Sequence, residues 1–176
     1  MSVNEATLYH SEQVDAFAET EADMISACTI NYIEEAVGIA IAAKSSGMPL
    51  VISFTVETNG DLPSGEFLKS AIEKTDILTN RYPSYYMINC AHPTHFMGSL
   101  IPDGDWLTRL RGIRPNASTK SHAELNENLT LDDGDPIELA SHFKNLLRKL
   151  PALTVCGGCC GTDIRHLEEI CKSILS

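Results

Sequence analysis

The chain has 176 residues, 43% of them hydrophobic, which is enough for one domain with a sizeable core and too apolar for disorder. Its formal net charge is −11 and no basic cluster interrupts it, so a phosphate-binding surface, and with it a nucleic-acid partner, is excluded. No apolar run approaches the ~18 residues of a membrane span, the first residues lack the basic and apolar regions of a signal peptide, and the expected location is cytoplasmic, where six cysteines point to metal or catalysis more than to disulfides.

A helix is expected around His10 to Glu19, with Val14, Phe17 and Ala18 as its apolar face. Met24 to Thr29 reads as a buried strand. Asn31 with Glu34 gives a capping-box-like start to the next helix, whose inward residues are Ile33, Val37, Ala40 and Ile41. Gly47 fits the C′ position of that helix and Pro49 follows as a stop. Leu50 to Val56 is the clearest strand. A polar loop, Glu57 to Ser64, leads to a helix containing Phe67, Leu68, Ala71 and Ile72.

Tyr85 to Ile88 is the third strand and ends on Asn89 and Cys90. A helix near Gly104 to Leu110 carries the only tryptophan, Trp106. Gly112 to Arg114 forms a shorter strand, since Pro115 cannot donate to a central ladder. Ala117 to Gly134 reads as a long polar loop, a feature that compact domains keep for function. Asp135, Pro136 and Glu138 combine an N-cap, an N1 proline and an N3 glutamate, starting a helix that runs to about Leu150. Ala152 to Val155 is a short buried strand, and Ile164, Leu167, Ile170, Cys171 and Ile174 fall at the spacing of a final amphipathic helix.

Strand and helix thus alternate five times, in a single domain spanning residues 1–176, which means a parallel sheet covered by helices. Alternation alone does not separate an open doubly wound sheet from a barrel. Cys28, Thr55, Asn89 with Cys90, Arg114 with Asn116, and Cys159 with Cys160 all fall at strand carboxyl ends, where parallel α/β folds place their chemistry. Neither a dinucleotide-binding glycine fingerprint nor a P-loop is present.

The stretch Gly157-Gly158-Cys159-Cys160-Gly161-Thr162 holds the densest chemistry. Adjacent residues on a strand point to opposite faces, so Cys159 and Cys160 share a site only where the strand has ended and glycines let the chain bend. Two thiols in such a turn are half of a soft-metal site. The competing readings are packing cysteines or a vicinal disulfide. His92 and His95 near Cys90 make a Cys-x-His-x-x-His pattern, which fits either a self-contained metal site or residues that line a pocket mouth and cap a turn. Cys156 and Cys171 read as core thiols, His166 as a surface residue, and Asp163 as an acidic residue suited to a helix N-terminus. Arg114 and Asn116 fit either a substrate-facing or a structural role.

Asn89-Cys90 at one strand end and the glycine–cysteine stretch at the last resemble the zinc-dependent homocysteine S-methyltransferases. Ile33-Glu34-Glu35-Ala36, Ile52-Ser53-Phe54-Thr55 and the loop from Gly60-Asp61-Leu62 to Ser64-Gly65-Glu66 carry the same likeness, which runs from about Tyr9 to the C-terminus. The resemblance implies a (β/α)8 barrel, Zn2+ held by Cys90, Cys159 and Cys160, and methyl transfer to the thiol of homocysteine or a similar small thiol. It implies substrate-facing positions at Cys28, Thr55 and Asn89, and a small methyl donor such as S-methylmethionine. Two departures stand out. Cys28 occupies a strand end where the family carries a glutamate for the substrate amino group, and a thiol replaces a carboxylate poorly. The family's first strand and the next two βα units have no counterpart here, so the expected fold is the last five βα units of the barrel. Self-association or an N-terminal partner chain is then expected. The alternative to an active enzyme is a truncated, inactive zinc-binding remnant or partner subunit.

Overall fold

Five strands, β1 (Ile25–Ile30), β2 (Leu50–Phe54), β3 (Tyr85–Asn89), β4 (Leu110–Arg114) and β5 (Val155–Cys156), pair in parallel and lie in the sheet in chain order. The computed structural model describes residues 1–175. An open doubly wound sheet reverses its strand order at a switch point. This sheet never reverses, so every crossover advances the same way, as in a segment of a (β/α)8 barrel.

The helices among the described residues are α1 (Val3–Ala18), α2 (Ile33–Ser45), α3 (Leu68–Thr79), the single turns α4 (Pro93–Phe96) and α5 (Trp106–Arg109), then α6 (His122–Glu127), α7 (Pro136–Lys149) and α8 (Ile164–Leu175). The core lies between the sheet and these crossovers. Leu50, Ile52 and Phe54 of β2, Tyr86 and Ile88 of β3, and Leu110 and Ile113 of β4 are buried, with Ile33, Val37 and Ala40 of α2 and Leu139, Phe143 and Leu146 of α7 against the same core. On the opposite face, Ser26, Tyr85, Met87, Arg114 and Val155 line an open depression on what would be the barrel interior, while Cys156, in register with Ile113, packs against the core. β1 and β5 are the two sheet edges.

Several elements differ from their sequence reading, each for an identifiable reason. α1 starts at Val3 rather than near His10, because the Ser2 hydroxyl accepts from Glu5 N–H while the Glu5 carboxylate accepts from Ser2 N–H. Its buried residues are Ala6 and Val14, whereas Phe17 and Ala18 are exposed beyond the end of α2. β1 is an edge strand rather than a buried one: Ile25 and Ile30 are buried, but Ser26, Cys28 and Thr29 are exposed. The Asn31–Glu34 box does not form, since the N-cap of α2 is Tyr32 without a side-chain bond. Phe67 is the exposed N-cap of α3. The tryptophan helix is only one turn because Leu110 already belongs to β4.

The long polar loop contains α6, signalled by a Ser121–Glu124 capping box of the same form as at Ser2. β5 is two half-buried residues rather than a longer buried strand, continued on either side by Thr154 N–H to Arg111 O and Gly157 N–H to Ile113 O. Along α8, Ile170 is buried, but Ile164, Leu167 and Cys171 are exposed, because α7 is the helix it packs against. Cys171 is therefore not a core thiol. His166 is buried rather than at the surface, its Nε2 donating to Asp133 O at 2.8 Å.

α1 joins the fold through a close approach at Gly38, where an added Cβ would lie 2.5 Å from Ala6 Cβ and 2.8 Å from the Thr7 backbone nitrogen. Overpacking of this kind costs about 1–3 kcal/mol. Gly38→Ala should lower stability by that amount in a urea titration; an unchanged midpoint would mean that α1 does not dock there.

Candidate metal centre

The strand ends converge on a pair of backbone positions that the sequence did not reveal. Thr29 at the end of β1 has φ 62° and Cys90 just after β3 has φ 57°. Non-glycine residues in this left-handed region are uncommon, β-branched ones especially, and each costs about 1–3 kcal/mol unless its surroundings hold it there. Asn89 does so for Thr29. Its Oδ1 accepts from Thr29 N–H at 2.9 Å and from the Ser53 hydroxyl at 2.6 Å, and its Nδ2 donates to Thr29 Oγ1 at 2.7 Å. Cys90 is fixed through its backbone: its N–H donates to Arg114 O, and its carbonyl accepts from Asn116 Nδ2 at 2.9 Å and His122 Nε2 at 2.6 Å.

The second half of the centre is clamped to the segment after β4. Cys159 N–H donates to Pro115 O at 2.7 Å, and Ala117 N–H donates to Cys160 O at 3.0 Å. Thr162 closes the turn, its hydroxyl donating to Cys159 O at 2.7 Å. The glycines here have defined reasons. A Cβ on Gly158 would lie 2.1 Å from Thr162 Oγ1, and Gly161 has φ 80° with no room for a Cβ beside Asp132 O.

These contacts bring the Sγ atoms of Cys90, Cys159 and Cys160 within 4.8 Å of one another. All six cysteines are free thiols, so the vicinal-disulfide reading does not hold. Hydrogen bonding from Cys90, opposed by burial and assisted by the Cys160 and Asn89 groups, holds the Cys159 thiol down to about 5. Cys90 moves far the other way through the same bond and through burial, and burial with the neighbouring Cys159 charge also raises Cys160. The trio therefore behaves as one thiolate with two thiol partners, an arrangement that a cation would convert to three thiolates. Three converging soft sulfurs fit zinc, cysteine thiolates being preferred ligands for it.

Cys90 and Cys160 sit at the edge of a cavity of about 550 Å³, lined also by Thr29, Thr55, Asn116 and His122. Thr55 and Asn116 are both in this lining, and their Oγ1 and Oδ1 atoms are buried without a hydrogen-bond partner among the protein groups. Asn89 lies beneath the centre, 3% exposed, with its amide engaged by Thr29 and Ser53 rather than facing the cavity. Cys28 lies outside the cavity lining, exposed, with its thiol 3.7 Å from Ser26 Oγ. Thr29 is the β1 residue that reaches the thiols, its Oγ1 standing 3.9 Å from Cys90 Sγ. His95 is not joined to Cys90; its Nε2 donates to Thr119 O at 2.8 Å. His92 caps α4, accepting from Thr94 N–H. Sequence reasoning missed Thr29 and His122. The Ser121–Glu124 box was the available signal for the second, since it starts the short helix that carries His122 over the cavity.

A barrel-type parallel sheet with three convergent thiols beyond its strand ends defines a segment of a (β/α)8 protein with a thiol-rich, metal-competent centre. The chain belongs to the homocysteine S-methyltransferase family, whose profile matches residues 1–174. Among solved structures it is similar to the homocysteine methyltransferase MmuM from Escherichia coli. The apo form superposes with a TM-score of 0.73 at 18% identity, covering 98% of this chain and 58% of that one. The metallated form gives 0.70 at 18% identity, covering 100% of this chain and 53% of that one. At that identity the likeness shows the fold, and the chain spans little more than half the length of these structures. No curated protein sequence gives a significant match.

Asn89 is the natural place to perturb the centre. In metal-free protein, alkylation of Cys159 should follow a pH profile with its midpoint near 5, because the thiolate persists above a lowered pKa. Asn89→Ala should move that midpoint upward and, by leaving the Ser53 and Thr29 groups unpaired, cost about 1–3 kcal/mol in stability. A wild-type midpoint at the ordinary thiol value of about 8.5 would contradict the geometry.

Proposed function

We propose that this chain carries the zinc-holding part of a methyltransferase that moves a methyl group onto the thiol of homocysteine or a similar small thiol. The observation that carries this reading is the convergence of Cys90, Cys159 and Cys160, with Cys90 and Cys160 at the wall of a cavity. Family membership supports the reaction class. Zinc held by these three residues would keep one position open and favour the thiolate form of a small thiol at neutral pH.

The chain's own residues do the positioning. Asn89 and Thr29 hold the β1 and β3 ends together, and Asn116 with His122 fixes the Cys90 carbonyl. Thr55 and Asn116 line the cavity beside Cys90 and Cys160 and are the residues placed to bound the polar end of a bound amino acid. The net charge of −11 and the acidic Glu57 and Asp132 near the cavity favour a cationic sulfonium donor, and S-methylmethionine is the simplest of that class. With that donor the products are methionine on both sides of the transfer. Cys28 brings no carboxylate to the cavity, so the acceptor's ammonium is not held there as the family resemblance would have it.

We place the whole chain, residues 1–176, in one domain in the cytoplasm. The edge strands β1 and β5 and the open inner face around Ser26, Met87 and Val155 fit pairing with a second copy or with a chain that supplies further strands. The same face favours a second reading, in which the chain binds zinc but turns over only with such a partner.

Washed with a mild chelator under reducing conditions, the protein should retain about one zinc per chain. Cys90→Ser and Cys159→Ser should lose it, and Cys171→Ser, on the exposed face of α8, should keep it. Full retention by a Cys159→Ser/Cys160→Ser double variant would remove the assignment. Methionine formed from homocysteine and S-methylmethionine in proportion to zinc content supports the enzyme reading; full zinc with no methionine, in a chain that light scattering shows to self-associate, supports the second.

A further inference from the structure

A second group of metal-ligating side chains lies in the helical layer. His92 Nε2, Glu138 and His142 Nε2 place their donor atoms within 4.8 Å of one another. Glu138 and His142 are one turn apart on α7, so both project from the same face. Glu138 Oε1 lies 2.6 Å from His142 Nε2, and Glu138 Oε2 lies 3.5 Å from His92 Nε2. The two imidazole rings meet edge to face, 5.3 Å between centroids.

His92 gives the cluster a direction. Its side chain is 0% exposed, yet its Nε2 has no hydrogen-bond partner. An unpaired buried polar atom is costly, on the order of 1–3 kcal/mol, and this one faces a carboxylate and a second imidazole. The other ring nitrogen, Nδ1, stands 2.8 Å from Thr94 Oγ1. In the metal-free chain Nδ1 accepts from Thr94 N–H in the α4 cap; a cation on Nε2 would shift the ring proton to Nδ1, where Thr94 Oγ1 stands ready to accept it. A histidine oriented through its remote N–H in this way is the usual arrangement of a metal ligand. Partial exposure of His142 and Glu138 leaves an entry path from solvent.

We propose that His92, Glu138 and His142 form a second cation site, separate from the thiol centre, for a divalent first-row transition metal. Two imidazoles and one carboxylate suit zinc, cobalt, nickel or copper and are a poor match for calcium or magnesium. The position gives such an ion a structural consequence. His92 sits two residues after Cys90, and α7 is the helix that leads into β5 and the Cys159–Cys160 turn. An ion here ties the segment leaving one half of the thiol centre to the helix entering the other.

The test uses the whole chain with its thiol centre first filled by one equivalent of zinc. Cobalt(II) is then titrated in, followed by calorimetry and by visible absorption. A second equivalent should bind, with the weak d–d bands of nitrogen and oxygen ligation and no intense sulfur-to-metal band. His142→Ala and Glu138→Gln should each weaken it by about tenfold or more, while His95→Ala, whose ring bonds Thr119 O instead, leaves it unchanged. Cys90→Ser should remove the thiol-bound equivalent and keep this one. Absence of a second equivalent in the wild type, indifference to His142→Ala and Glu138→Gln, or loss of both equivalents in Cys90→Ser would overturn the proposal.

Discussion

The side chain of Asn89 is the contact on which the thiol centre depends. One amide joins three strands: it accepts from the Thr29 backbone of β1 and the Ser53 hydroxyl of β2 while sitting at the end of β3 itself. By donating to Thr29 Oγ1 it also holds a β-branched residue at positive φ, a conformation that the chain would otherwise relax. The turn that follows sets Cys90 in the same backbone region and aims its sulfur across the strand ends. Local strain at a functional site persists only where neighbouring structure over-determines it, and the buried Asn89 network is that neighbouring structure.

The rest of the fold serves the same geometry from farther away. Parallel strands in chain order bring their carboxyl ends to one rim, so residues 69 positions apart in sequence, Cys90 and Cys159, become neighbours without either leaving its own strand end. α6 then folds over that rim and delivers His122 to the Cys90 carbonyl. The opposite side of the sheet is different. Helices cover one face, while the face toward the barrel interior carries Ser26, Tyr85 and Arg114 around an open depression. Parallel sheets are characteristically covered on both faces, and this one has both edge strands, β1 and β5, without a further neighbour among the described residues.

Much of this was legible in the sequence where a residue type has a single physical use. Asp135-Pro136-Ile137-Glu138 marked the start of α7, and the structure has the Asp135 carboxylate accepting from both Ile137 and Glu138 N–H. The alternation of strands and helices gave the class, and the polar residues at strand ends gave the rim. What was not legible depended on tertiary neighbours. Nothing local indicates that Thr29, rather than Cys28, turns toward the thiols, because the deciding partner is Asn89, 60 residues away. His166 read as surface because helical spacing alone does not show that Asp133, on another segment, would accept its bond. Cys171 read as core because the stripe of α8 is apolar, although the face it belongs to has only α7 against part of it.

The central claim is that Cys90, Cys159 and Cys160 act together as one sulfur ligand set with a position left open. X-ray absorption at the zinc edge, on chain loaded with one equivalent of zinc, reads that ligand set directly. Three sulfurs at about 2.3 Å with one lighter ligand are expected, and a fourth sulfur on adding homocysteine. A first shell dominated by nitrogen and oxygen, or a sulfur count that homocysteine leaves unchanged, would contradict it.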